Sequence, residues 1–458
     1  MAALQASMPR SAAAVLRCWF PVSSFSRDAA VLMAGSLVSQ GLNVATSPIL
    51  ARLYQPAQIG ILGLLASIYS VVTPLACWRY EQAIMLATSD EDRDSLVRLA
   101  LLTTCAMTLL TALGVLVFIR YAEPTFGAPS WEPWLWASPA LLLLAGMYQT
   151  ARVWLGRAQH FGSMAIGRMA RTTIASGSQI GAAWAWPANV LGLVGGYFAG
   201  LACEATLLAT LVWRTSRARG FRWLADFGGL RAAARRYRKF PAFGVPGNLS
   251  NMLAVEGPTI LLATLFMPVE AGLYWFSYRL LAVPVALVGE AVSTVYYQRL
   301  ASVRSSGAAG APLTTQVFVG LLALAIVPMG LLFAFAPAIF RFVFGPEWTH
   351  AGDYARALAP AELMLFAALP LTQAFFVYEK QERQLIWNAL FLALSDASFI
   401  AGKFLGNPLA AVQGYSLVSV LMYGSVVIMA FRWSGGSPRE IPGYLRQGLR
   451  RASMAAQL

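Results

Sequence analysis

Leu50-Ala51-Arg52-Leu53-Tyr54-Gln55-Pro56-Ala57-Gln58-Ile59-Gly60 returns 212 positions later as Leu262-Ala263-Thr264-Leu265-Phe266-Met267-Pro268-Val269-Glu270-Ala271-Gly272, with Leu, Ala, Leu, Pro and Gly in register. Each stretch closes one apolar segment and opens the next. Two further prolines recur at an offset of 210, Pro48 with Pro258 and Pro74 with Pro284. A hairpin and its flanking prolines repeated at about half the chain length predict two halves of one architecture.

The residues around these hairpins are those of a bilayer protein. Of 458 residues, 58% are hydrophobic and 12% charged, and the mean hydropathy is +0.60. A soluble domain carries about twice that share of charge, so this chain has too little polar surface to cover itself in water. A cytosolic enzyme, a disulfide scaffold and a disordered chain are excluded. A window of about 20 residues, the length needed to cross the hydrocarbon layer, gives twelve spans. The first six are 29–50, 59–77, 97–119, 134–155, 165–186 and 190–213; the second six are 243–266, 271–295, 315–335, 357–378, 385–404 and 408–431. The fifth is the least apolar, with Arg168 and Arg171 in its first turns, and suits a helix packed inside a bundle. An even number of spans separates the halves, so both insert in the same direction, related by an axis along the membrane normal. The expected fold is therefore an all-α integral membrane protein, with twelve transmembrane helices in two six-helix lobes related by a parallel repeat.

Basic residues orient it. With the N-terminus inside, 28 of the 34 Lys and Arg fall on inner segments and span ends, five on outer ones, and Arg279 within a span. That asymmetry predicts both termini in the cytoplasm and accounts for the net charge of +14 without nucleic acid. The expected organisation is a basic cytoplasmic leader (1–28), an N-terminal lobe (29–213), a basic linker along the anionic inner leaflet (214–242), a C-terminal lobe (243–431) and a basic tail (432–458). The leader lacks the long apolar core of a cleavable signal. Cys18, Cys77, Cys105 and Cys203 have neither disulfide-framework nor metal-ligand spacing.

The first hairpin, followed by Arg79-Tyr80-Glu81-Gln82-Ala83-Ile84, resembles the start of the lipopolysaccharide and capsule oligosaccharide flippases of the multidrug/oligosaccharidyl-lipid/polysaccharide exporter superfamily. Lys239-Phe240-Pro241, Pro246-Gly247, Ala271-Gly272-Leu273-Tyr274 and Arg279-Leu280-Leu281 before Pro284 resemble that family's second half. The resemblance runs over 29–431. It implies two lobes forming a V, with a cavity opening alternately to each side. It implies as cargo an oligosaccharide on a polyprenyl diphosphate, turned from the cytoplasmic to the periplasmic leaflet of a bacterial inner membrane for lipopolysaccharide, O-antigen or similar assembly. Polysaccharide assembly proteins and membrane lipids are the expected partners; no cofactor or metal is expected, and the oligomeric state is left open, a monomer being favoured.

Charged residues inside spans are expensive and usually face a bundle interior or a watery cavity. Glu204, Glu256, Arg279, Glu290, Glu362 and Asp396 lie within spans, and Arg79 and Glu81 lie near the inner end of the second. Glu256 is 12 residues before Pro268 and Arg279 is 11 after it, so both sit roughly 17 Å below the outer turn and are expected to meet. Arg279 is the candidate anchor for a diphosphate, because guanidinium binds phosphate oxygens in a planar fork; Arg79 is a second candidate at the inner mouth. Arg79 and Glu81, two positions apart, are expected on different helix faces and not as partners. Glu256, Asp396, Glu81 and Glu362 are candidates for coupling or charge pairing. Tyr274, Trp275 and Tyr278 are candidates for stacking on sugars. Trp131, Trp134, Trp136, Trp184, Trp186, Trp275 and Trp348 read as an outer aromatic belt.

A membrane glycosyltransferase is the enzyme alternative, but no acidic catalytic loop is visible, and His160 and His350 are the only histidines. No catalytic residue is assigned. The nearer rival is a multidrug or cation antiporter of the same superfamily, which would want acids rather than arginines in its cavity.

Overall fold

The computed structural model describes residues 24–436 apart from 88, 123–131, 187–188 and 219–227. The expected leader up to residue 23, the tail from residue 437 and Trp131 lie outside the described residues. Twelve long helices follow in order: α1 (Ser24–Leu53), α2 (Pro56–Ala76), α3 (Asp90–Val117), α4 (Ala137–Arg157), α5 (Phe161–Ala185) and α6 (Val190–Ala218); then α7 (Val245–Leu265), α8 (Pro268–Ser305), α9 (Ala311–Phe344), α10 (Thr349–Ala368), α11 (Gln381–Phe404) and α12 (Pro408–Trp433). No strand occurs among the described residues. Each expected span corresponds to one of these helices.

Local chemistry sets several of the helix ends. Pro56, Pro268, Pro346 and Pro408 begin helical segments, where a missing N–H is harmless. Ser89 caps α3 by accepting from the Asp92 N–H at 3.1 Å, ahead of Asp90, Glu91 and Asp92 in the first turn. Pro48, Pro74, Pro258 and Pro284 all lie inside helices, two in each half.

Eight helical stretches are long and apolar enough to cross a membrane by length and composition. Those belonging to α3, α9 and α11 expose Leu109, Leu110, Leu324, Val327, Leu385 and Ile386 outward, where lipid tails rather than water satisfy them. Of the remaining four, α1, α4, α5 and α7, two turn polar residues inward. Gln40, Asn43, Thr46 and Ser47 of α1 and Ser176 and Gln179 of α5 line one common pocket.

In the N-terminal lobe α1 packs on α5, α5 on α6, and α4 on α2, α3 and α6; in the C-terminal lobe α10 packs on α8, α9 and α12, and α11 on α7 and α12. The lobes meet mainly through α2, which packs on both α7 and α8. One end of the bundle, called here the hairpin face, holds the turns before Pro56 and Pro268; the opposite linker face holds a basic helix, Gly228–Arg236. Tyr237, just after that helix, donates to Asp92 Oδ2 at 2.7 Å, and Arg236 lies 3.6 Å from the same oxygen, so the linker is tied to the start of α3.

At the hairpin face the two repeated motifs touch each other. A Cβ built on Gly60 would stand 1.8 Å from the Pro268 carbonyl oxygen and 3.0 Å from the Gly272 nitrogen; one built on Gly272 would stand 2.0 Å from the Pro56 oxygen and 2.7 Å from the Gly60 nitrogen. The crossing of α2 and α8 is thus backbone on backbone and reciprocal, and only glycine fits on either side. Around it Trp348 donates from Nε1 to the Ala51 carbonyl at 2.7 Å, and Phe276, Phe340 and Phe344 crowd edge to face nearby. Two members of the expected aromatic belt are therefore core residues: Trp275 and Trp348 are buried between the lobes, whereas Trp136, Trp184 and Trp186 are exposed. Trp348 loses the interface because the short helix that carries it folds back over α1.

Candidate functional site

A pocket lies between the lobes, lined by α1, α2, α5 and α6 on one side and by Trp275, Phe276, Arg279, Leu280 and Val283 of α8 on the other. Among the described residues, its only ionisable lining residue is Arg279. The Arg279 guanidinium is accessible, donates from Nη2 to Asn43 Oδ1 at 3.1 Å, and lies 4.9 Å from the centre of the Trp275 ring. Both neighbours are neutral, so the cation is held in place without being neutralised.

The expected meeting of Glu256 with Arg279 does not occur. Glu256 Oε2 accepts from Ser67 Oγ of α2 at 2.7 Å, and no ion pair joins it to Arg279 among the described residues. The two residues sit at similar depth, but α7 turns Glu256 toward α2 while α8 turns Arg279 toward α1.

The expectation for Arg79 and Glu81 also fails. Arg79 Nη1 and Glu81 Oε1 are 3.7 Å apart. The prediction of opposite faces assumed a continuous helix, but α2 ends at Ala76, and Trp78 and Arg79 adopt positive φ of 49° and 62°, which reverses the chain before a one-turn helix, Tyr80–Ala83. Glu81 is buried, and its Oε2 has no hydrogen-bond partner. The Arg79 stem lies against Gly244 at the start of the second half, where an added Cβ would be 3.4 Å away. Arg157 fixes the segment that follows, donating to the carbonyls of Ile84, Met85 and Ala87 at 2.8–3.1 Å. Arg79 thus sits at the linker face as expected, but with its charge already paired.

The remaining acids belong to the C-terminal lobe. Glu362 of α10 is buried, and its Oε2 has no hydrogen-bond partner. Asp396 of α11 is half-buried beside Gly257 of α7. Tyr274 and Tyr278 stack on each other, with centroids 5.9 Å apart and planes 3° from parallel. They do not line the pocket between the lobes; of the three aromatic candidates only Trp275 does.

One ion pair escaped the sequence reading. Arg171 Nη1 of α5 lies 3.3 Å from Glu204 Oε2 of α6; the Arg171 side chain is 30% exposed and that of Glu204 is 4%. Arg171 also faces the Tyr69 ring at 5.9 Å. A signal was present: α5 ends at Ala185 and α6 begins at Val190, so Arg171 and Glu204 each lie 14 residues from the turn that joins them.

The family model for polysaccharide biosynthesis proteins matches residues 49–353. The chain is 24% identical over 417 residues to the succinoglycan biosynthesis transport protein ExoT of Rhizobium meliloti (strain 1021), covering 86% of this chain and 76% of that one. Among solved structures, the lipid II flippase MurJ in an inward closed conformation superposes with a TM-score of 0.73 at 10% identity, over 91% of this chain and 90% of MurJ. An inward-facing multidrug resistance MATE transporter gives 0.62 at 14% identity, over 91% and 99%. At such identities these two likenesses concern the fold, which is the two-lobed fold expected above.

Proposed function

Because the chain belongs to the polysaccharide biosynthesis protein family, we propose that it carries a polyprenyl-diphosphate-linked oligosaccharide from the cytoplasmic to the periplasmic leaflet of a bacterial inner membrane, by alternating access of the pocket between its lobes. That it is a multi-pass membrane transporter and not an enzyme follows from its family and fold. The observation that carries the finer reading is Arg279. A single accessible guanidinium, lacking any carboxylate in its pocket, suits an anionic head and repels the cationic drugs that an antiporter would take. ExoT, by its name, transports for succinoglycan biosynthesis, and a surface polysaccharide is the corresponding destination here. In this reading Arg279 holds the diphosphate, and Trp275 offers a face to the first sugar.

Coupling falls to the C-terminal lobe. Ionised Glu362 would be an uncompensated buried charge, and a proton or monovalent cation taken up there removes that cost; Asp396 and Glu256 are nearer the lobe surface. Glu362→Gln is expected to preserve abundance while transport in vesicles loses its dependence on an imposed ion gradient. Gradient dependence equal to that of the parent would exclude Glu362.

The test of the function is depletion. Loss of the protein should accumulate lipid-linked glycan in the inner leaflet, with restoration by the parent chain; an unchanged leaflet distribution would reject the cargo. Orientation is tested by single cysteines in a background without native ones. Glu382→Cys, in the first turn of α11, should label only from the cytoplasm, and Met267→Cys only from outside. Labelling of both from one side would reject the topology.

A further inference from the structure

Two hydroxyls of the pocket have already spent their protons. Thr46 Oγ1 donates to the Leu42 carbonyl at 2.8 Å, and Ser47 Oγ to that of Val44 at 2.7 Å. A hydroxyl has one proton to give, so what these two can offer a ligand is lone pairs. Gln179 adds a third acceptor and is held rigidly in that role. It is 5% exposed, its Nε2 donates to the Leu193 carbonyl at 3.0 Å, and the Tyr54 hydroxyl donates to its backbone carbonyl at 2.7 Å. A Cβ built on Gly196 would stand 2.6 Å from its Cγ, so the side chain has no room to turn. Among the described residues nothing donates to its Oε1. Thr46, Ser47 and Gln179 are six or seven residues from the hairpin-face ends of α1 and α5, and Trp275 is seven after the start of α8. All four therefore lie roughly 10 Å below that face, with Asn43 and Arg279 about a turn deeper.

We propose that the hairpin side of the pocket is a subsite for an uncharged, hydroxyl-bearing sugar joined directly to the diphosphate, with Gln179, Thr46 and Ser47 accepting from its hydroxyls. The inference rests on the cargo reading above and adds to it the class of sugar and the side of Arg279 on which it lies. A pyranose has an apolar C–H face and a rim of hydroxyls, and it meets here an indole on α8 and a wall of acceptors on α1 and α5. A buried acceptor without a donor is costly, so a ligand lacking hydroxyls leaves the wall unsatisfied. A carboxylate on the sugar would set acceptor against acceptor and is rejected. Asn43 joins the two subsites. In the empty pocket its Oδ1 accepts from Arg279. A diphosphate oxygen is the stronger acceptor for a guanidinium, and Asn43, once displaced, becomes a further acceptor for the sugar. The anion is thus read before the sugar.

The protein in nanodiscs is titrated with farnesyl diphosphate and with its glucosyl and glucuronosyl esters, and the dissociation constants with and without sugar are compared as ratios. The glucosyl ester should bind the parent about tenfold more tightly than farnesyl diphosphate, and the glucuronosyl ester no more tightly than farnesyl diphosphate itself. Gln179→Leu and Asn43→Leu, on different helices, should each reduce the glucosyl gain to about threefold or less. Ser47→Ala, whose side chain bonds only within its own helix, should reduce it too, and keeps the test open if Gln179→Leu lowers abundance. Equal binding of the glucosyl ester and farnesyl diphosphate by the parent would overturn the subsite, as would tighter binding of the glucuronosyl than of the glucosyl ester. So would a glucosyl gain lost in Gln40→Leu but kept in Gln179→Leu, which would put the sugar on the linker side of Arg279. Binding of farnesyl diphosphate that depends on Arg279, without a glucosyl gain, removes the subsite and leaves the cargo reading standing. A parent protein that binds none of the three probes removes both.

Discussion

Gly60→Val should all but abolish transport while leaving the protein in the membrane. The side chain must occupy space already filled by the Pro268 carbonyl, which stands 1.8 Å from where its first carbon would be. Backbone cannot yield as a flexible side chain does, so α2 and α8 have to separate at the hairpin face. Overpacking of this kind costs typically 1–3 kcal/mol even where side chains can move aside. At about 3 kcal/mol, the state closed at this face would lose roughly a hundredfold in population. Alternating access needs that state, and the rate should fall accordingly. Gly272→Val meets the Pro56 oxygen in the same way and should match it. Gly41→Ala, on α1, meets nothing within 4 Å and serves as the neutral control. The check is the flipping rate, together with labelling of Met267→Cys, which should become faster in both valine variants. A Gly60→Val protein that transports at the parent rate would show that the crossing is not part of the cycle.

Arg279→Ala should abolish flipping, by about a hundredfold or more, without lowering abundance, and Arg279→Lys should retain a fraction of it. The retained abundance follows from the absence of an ion pair with Glu256. Removing the guanidinium strands no carboxylate, because Glu256 keeps its bond from Ser67 and Asn43 is left beside a pocket that water can enter. Had the two charges been joined, the alanine variant would have folded poorly and its loss of transport would mean little. Near-parent flipping by Arg279→Ala would take Arg279 out of the mechanism.

The helices were legible because hydrophobic length is a one-dimensional property, and twelve windows became twelve helices. The hairpin repeat was legible for the same reason. What the repeat was for was not, since nothing in a linear sequence says that Gly60 will meet Gly272. Pairing was read from depth, and depth is only half of the requirement. It failed for Glu256 and Arg279, whose helices turn them to different neighbours, and it would have succeeded for Arg171 and Glu204, which face each other across a tight turn. Rotation about the helix axis is set by packing with several helices at once, and α2 packs on both lobes. Arg79 was misread for a different reason: the positive φ at Trp78 and Arg79 falls on residues that do not advertise it, with no glycine to mark the reversal.

The crossing at Gly60 and Gly272 is isologous: the same patch of the same motif faces itself across a two-fold relation, as at the interface of a symmetric dimer. In a dimer of identical halves, one change of codon would strike that contact twice, and any side chain on one subunit would be met by its copy on the other. Fusing the halves into one chain of 458 residues frees the two copies of the motif to diverge, and Arg52 opposite Thr264, or Gln58 opposite Glu270, shows that they have. The glycines are the exception, for each is confined not by its own copy but by the backbone of the other, which no substitution can trim.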